Sequence, residues 1–139
     1  MKKFLQKRLG NEKGLTLVEL LAVIVILGII AAIAIPSIGG IIQNTREKAF
    51  VADAQNALSA ANLYFTENNA KDKETVKLEK LKTEGFFNDV GTLTDVTVTF
   101  NAGKENTIDA NGTVGNKPVS LTNKTNKQLS DEGRKAIVE

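Results

Sequence analysis

Apolar and polar positions divide this chain into three stretches with different periods. The first, from Gly14 to Pro36, reads G-L-T-L-V-E-L-L-A-V-I-V-I-L-G-I-I-A-A-I-A-I-P, and from Leu15 to Ile35 only Thr16, Glu19 and Gly28 interrupt the apolar run. A helix rises about 1.5 Å per residue, so this run is long enough to cross the roughly 30 Å hydrocarbon core of a bilayer. From Ser37 to about Asn68 the apolar residues thin into a stripe: Phe50, Ala54, Ala57, Leu58, Ala61 and Phe65 recur at spacings of four, three, one, three and four. That is the period of a helix with one buried face, while Arg46, Glu47, Lys48, Asp53 and Glu67 fall mostly off the stripe. A single helix from Leu15 to around Asn68, about 80 Å long at ideal rise, accounts for both stretches.

Beyond Asn69 the pattern shortens. Asn68-Asn69-Ala70-Lys71-Asp72 breaks the helix, and Thr75 is placed to cap a short helix carrying Leu78 and Leu81, with Gly85 as its stop before Phe86-Phe87. Leu93, Val96, Val98 and Phe100 predict a strand with Thr97 and Thr99 on its other face, followed by a turn at Asn101-Ala102-Gly103-Lys104. A second strand around Ile108 runs into Asn111-Gly112, a two-residue hairpin signal, and Val119 and Leu121 mark a third after Pro118. Lys124 to Glu139 is polar and ends in Ala136-Ile137-Val138, either a docked tail or a frayed one. The fold class is α+β: a long N-terminal helix whose C-terminal half packs on a small antiparallel sheet of about three strands. The residues beyond Asn69 hold too few apolar side chains to make a core without that helix.

Composition narrows the chemistry. The 139 residues include no Cys and no His, which removes disulfides, thiolate nucleophiles, the commonest general base and the commonest transition-metal ligand. No constellation for an enzyme is left, and no cofactor or metal site is expected. Asp109-Ala110-Asn111-Gly112 faintly resembles part of a calcium loop, but the other acidic positions and the terminal Glu are missing, so a turn is the reading here. The net charge of +2 is unevenly spread: Lys2, Lys3, Lys7, Arg8 and Lys13 against Glu12 give residues 1–14 a net +4, leaving −2 for the rest. A slightly acidic body has no bulk drive toward DNA, and Lys117, Lys124, Lys127, Arg134 and Lys135, interleaved with acids and lacking an aromatic platform, read as a solvated face. The basic start predicts a cytoplasmic N-terminus with the C-terminal bulk across the membrane.

Three readings compete for residues 1–36. An ordinary secretory signal would offer Ala32-Ile33-Ala34 for cleavage, but the apolar run is longer than the usual core of such signals and contains Glu19. A plain single-pass anchor fits the length and explains neither Glu19 nor the Lys13-Gly14 boundary. The third reading rests on Lys13-Gly14-Leu15-Thr16-Leu17-Val18-Glu19 with Gly28 and Pro36 in register, which resembles the N-terminus of type IV pilin precursors and of type II secretion pseudopilins. The resemblance covers residues 8–45 closely and the remainder in architecture. It implies a leader, residues 1–14, removed by a membrane prepilin peptidase between Gly14 and Leu15. Leu15, standing where the family most often has Phe, then becomes the N-methylated first residue.

On that reading the chain divides into the leader, a transmembrane and filament-core helix at 15–36, its amphipathic continuation at 37–68, and a small globular head at 69–139. Glu19 lies about 6 Å along the helix from Leu15, close enough for its carboxylate to snorkel to the headgroups in a waiting monomer. Once subunits pack their apolar helices together, an unpaired carboxylate costs several kcal/mol, roughly as for other buried charges. The resemblance implies the partner: the new α-ammonium of a neighbouring subunit's Leu15. Thr16 either adds a local hydrogen bond there or is simply tolerated by the helix. Gly28 weakens a helix by about 1 kcal/mol and an interior proline by about 3. Gly28 and Pro36, with Gly39-Gly40 beyond, therefore mark a stretch that kinks in the monomer and, by the resemblance, melts in the polymer.

The function implied is a structural subunit of an extracellular type IV pilus, a self-assembling helical homopolymer built with inner-membrane assembly machinery. It would wait in the cytoplasmic membrane and end in a surface filament. A pseudopilin of a secretion or competence (DNA-uptake) machine is the alternative within the class, and a monomeric membrane-anchored binding module the alternative outside it. Many pilins close a C-terminal loop with a disulfide; the lack of Cys here fits a Gram-positive filament.

Overall fold

Residues 2–139 are described by the computed structural model, with side chains from Lys13 onward; the basic leader residues Lys2, Lys3, Lys7 and Arg8, and Glu12, have side chains outside the described residues. Helix α1 runs from Lys2 to Glu67 and passes through Gly28 and Pro36 without a break in helical assignment. The chain divides into two units, residues 1–41 and 42–139. Among the described residues the first holds only the N-terminal part of α1. In the second, the C-terminal part of α1 is followed by β1 (Thr75–Lys77), α2 (Leu78–Thr83), β2 (Leu93–Thr99), β3 (Thr107–Val114), β4 (Lys117–Thr125), α3 (Asn126–Glu132) and a 3-10 turn at Gly133–Ala136.

The head is α+β, with the helix laid on an antiparallel sheet of four strands in the order β1-β2-β3-β4. The helical stripe read from the sequence is the face that packs: Phe50, Ala54, Ala57, Leu58, Ala61 and Phe65 are all buried, and Val51, Ala60 and Tyr64 widen it. They join Val96, Val98, Ile108, Ala110, Val114, Val119 and Leu121 from the sheet in one core. The Phe65 and Phe100 rings lie 5.4 Å apart at the far end of the helix, where Tyr64 also meets Phe86 edge-on at 5.6 Å. The alanines matter here because a small side chain lets helix and sheet backbones approach closely.

Helix α1 ends where the sequence places its break. Asn69 adopts φ 50°, and the Asn68 and Ala70 N–H groups return to the Tyr64 and Phe65 carbonyls. Gly85 is indeed the stop of α2: its φ is 79°, its N–H donates to the Lys82 carbonyl and that of Phe86 to the Leu81 carbonyl, the paired bonds of a Schellman ending. The start of α2 is a correction. Thr75 does not cap it; Thr75–Lys77 forms β1 instead, with Val76 buried opposite Val98, and the residue before the helix, Lys77, makes no side-chain cap. Pairing to the β2 edge buries Val76 and satisfies more backbone than one hydroxyl can, which raises the strand count from about three to four.

Asn111-Gly112 is the second correction. These residues lie inside β3, paired with Ser120 and Val119 of β4, and the neighbouring Asp109-Ala110 is strand as well, so that stretch is neither a turn nor a calcium loop. The hairpin turns at Gly115-Asn116, between Val114 and its partner Lys117, with Gly115 at φ 64° and Asn116 at negative φ, the pattern of a Gly-first two-residue turn. Gly112 serves a different need: a Cβ there would collide with the Phe50 ring and the Thr92 carbonyl. The glycine lets β3 approach the helix.

The three-residue interval between Leu93 and Val96, odd for a strand, is absorbed by a bulge at Leu93/Asp95, which leaves both side chains inside. The C-terminal stretch is docked. Thr125 and Gln128 form a reciprocal capping box that starts α3, Leu129 and Ala136 are buried, and Val138 pairs with Ser120 along the outer edge of β4.

Candidate assembly site

In the first unit the residues singled out by sequence fall on one continuous helix, α1. Leu15 and Glu19 are four residues apart, one turn, and so share a face, with Thr16 beside them. A side chain at Gly14 or Gly28 would meet nothing within 4 Å. Every large apolar side chain from Leu15 to Ile42 is exposed, from 45% at Ile42 to 71% at Ile33. Soluble monomers do not present apolar surface on that scale, so this face is built to be covered. By length and composition the helix is able to cross a membrane. Glu19 is the one ionisable group between Gly14 and Pro36. Such a group inside an apolar span marks a function, because an unpaired charge there is expensive.

In the second unit the polar side chains tie one element to another. Among the described residues no group of three or more Asp, Glu, His or Cys is gathered as a metal site. Its polar contacts position loops. Asp53 is the only charged residue from Ala49 to Thr66, and its Oδ2 accepts from both the Thr92 N–H and the Thr92 hydroxyl at 2.8 Å. Gly91, at φ 53°, sits so close to that carboxylate that a side chain would overlap it. The Asp53 clamp was missed in the sequence; the signal for it is a lone carboxylate in an otherwise uncharged helical segment.

Arg134 donates to Asn44 and to Glu47 Oε2, the latter at 3.4 Å, tying the 3-10 turn to the start of the head's helix. Lys124 and Glu132 pair at 2.7 Å across β4 and α3. At the other end, a hydrogen bond with Tyr64 raises the Lys80 pKa above its ordinary value, and the ammonium lies 5.0 Å from the centre of that ring. These contacts tie α3, the 3-10 turn and α2 to the rest of the head.

Comparison with known proteins leads to the same stretch. Residues 9–35 match the prokaryotic N-terminal methylation motif, a span that contains Gly14, Leu15, Thr16, Glu19 and Gly28. The type II secretion system core protein G of Pectobacterium carotovorum subsp. carotovorum is 32% identical over 74 residues, which is 53% of this chain and 47% of that protein. The chain thus aligns with about half the length of that curated relative. No solved structure matches. A methylation motif at the head of an apolar helix, an α+β head built on the same helix, and similarity to a secretion-system core protein together support a relation to the type IV pilin and type II secretion pseudopilin family.

Proposed function

We propose that this chain is a structural subunit of a type IV pilus, inserted in the cytoplasmic membrane with its basic N-terminus inside. It is cut between Gly14 and Leu15 by a prepilin peptidase and N-methylated on Leu15. The observation that carries the reading is Glu19: a lone carboxylate one turn from the proposed new N-terminus, in a helical stretch, residues 15–42, whose large apolar side chains are all exposed. In the membrane the carboxylate reaches the headgroups. In a polymer it neutralises the α-ammonium of a neighbouring Leu15, so cleavage creates the partner that makes burial tolerable. Apolar burial supplies cohesion and the charge pair sets axial register. Gly28 and Pro36 are the weak points where α1 loses helix on entering the filament. The absence of Cys agrees with a Gram-positive surface.

The test is Glu19→Ala in cells. The variant is expected to insert and to be cut as usual while surface filaments fall at least tenfold; native filament yield would refute the pairing. Similarity to a type II secretion core protein supports a second reading, a subunit of a short pseudopilus. Filament length separates the two: micrometre fibres support a pilus, and filaments confined to the envelope support a pseudopilus.

A further inference from the structure

The two edges of the sheet are closed in different ways. β1, at one edge, has three residues and leads straight into α2, too short to template another strand. β4, at the other, has nine residues, and an edge of that length invites pairing with another chain. Ser120 turns its backbone groups outward, and by the alternation along a strand positions 118 and 122 do so as well. Pro118 has no N–H to offer. After Leu121 an extra residue on β4, with Asn123 at φ 50°, bends the strand away from a straight ladder. The remaining pairing point is Ser120, and the chain's own residues 133–139 cover it. The Ser120 N–H donates to the Val138 carbonyl and the Val138 N–H to the Ser120 carbonyl, both at 2.9 Å.

This strap is lightly held. Its one fully buried side chain is the small Ala136, with Ile137 half-buried and Val138 exposed. The pairs Arg134–Glu47 and Lys117–Glu139 lie at the surface, where they are weak and screened by salt. A groove of about 390 Å³ lined by Thr94, Asn111, Thr113, Pro118 and Val138 runs beside it, so that side of the strap is unpacked. α3, just before it in the chain, is instead anchored by the buried Leu129. Between the two, Gly133 sits at φ 54° and ψ −131°, a conformation that glycine adopts far more readily than other residues. It is a pivot between a fixed helix and a loose strap.

We propose that the strap exchanges between copies: residues 134–139 of one chain leave their own β4, turn about Gly133 and dock on the β4 edge of a second copy. The edge itself identifies the occupant, because it already fits this sequence. Exchange remakes the same Ser120–Val138 bonds and the same Arg134 contacts with Asn44 and Glu47 across two chains, so no new complementarity is needed. Fully extended, the strap beyond Gly133 spans about 20 Å, which sets its reach to a neighbour. The entropic cost of joining two chains falls as copies are concentrated, and a filament concentrates them. There the exchanged strap ties one head to the next. Exchange involves residues 42–139 only and requires neither Glu19 nor membrane insertion.

The chain has no Cys, so cysteines can be placed singly. Full-length chains carrying Ser120→Cys are mixed in detergent with full-length chains carrying Val138→Cys, and disulfides are allowed to form. Thr75→Cys, on the opposite edge of the sheet, replaces Ser120→Cys to measure chance collision. The mixed Ser120→Cys and Val138→Cys dimer is expected at about tenfold or more above that control, rising with protein concentration. Adding Arg134→Gln to both partners should speed its appearance about two- to fivefold. The final yield should stay the same, because the contact is lost from closed and exchanged forms alike. Ser120→Cys and Val138→Cys in one chain, at high dilution, should close within that chain. Intrachain closure with the mixed dimer at the control level overturns the proposal, since the strap then stays on its own edge. Failure of intrachain closure overturns it as well, because no bridge is there to exchange. Ser120→Cys chains that link to each other in preference to the mixed pair reveal direct pairing of two uncovered β4 edges, which also overturns it.

Discussion

Both parts of α1 are rich in apolar residues, yet they dispose of them in opposite ways. From Leu15 to Ile42 the large side chains are all exposed and cover the whole circumference of the helix, whereas from Phe50 to Phe65 all but Leu63 lie on one face and are buried against the sheet. The first part is incomplete without lipid or other subunits; the second is complete within the chain. The two also differ in what a single charge does. Glu19 has no place in a finished apolar interface unless assembly provides a cation, while Asp53, in the head, already has its donors in Thr92.

That contrast gives an ordered set of tests. The largest effect is expected at Glu19. Replacement by Ala should remove filaments from the cell surface while leaving the thermal midpoint of the head unchanged, as followed by near-ultraviolet circular dichroism of purified protein. A shifted midpoint would mean that the two parts are not energetically separate. Next comes Leu129, fully buried in α3: Leu129→Ala should cost about 2 to 5 kcal/mol in denaturant unfolding of the head. The same truncation at exposed Leu21 should leave that transition where it is.

Gly112→Ala is expected to destabilise by about 1 to 3 kcal/mol, because its methyl enters the Phe50 ring and the Thr92 carbonyl. Enlarging Gly103 in its turn meets no neighbour, so Gly103→Asn, which tolerates the positive φ, should be nearly neutral by comparison. The smallest effect is at the α3 cap. Thr125→Ala removes one bond of the capping box and should cost about 1 kcal/mol, visible as faster hydrogen exchange in Asn126–Glu132.

The same division explains what the sequence disclosed. The N-terminal segment was legible as a motif because its signal is linear: Gly14, Leu15, Glu19 and the apolar run stand in order along one helix within the matched residues 9–35, and no tertiary contact is needed to see it. The stripe on α1 was legible for the same reason, since helical period alone puts Phe50 and Phe65 on one face. The head was harder wherever a residue answers to something distant in sequence. Asn111-Gly112 has the local signature of a turn, but Gly112 is glycine because Phe50, far back in the chain, fills the space over it. Thr75 looks like a helix cap until β2 is there to pair with it. The docking of the tail depends on Leu129 and Ala136 finding the core, which their polar surroundings in sequence conceal.

The central claim is that this chain is processed at Gly14 and polymerised through what the cut exposes. Intact mass combined with N-terminal sequencing, on protein sheared from the cell surface, tests it most directly. The account predicts a chain beginning at Leu15 and carrying one added methyl group. A chain beginning at Met1, or just after Ala34, would contradict it and leave an anchored or secreted domain in its place.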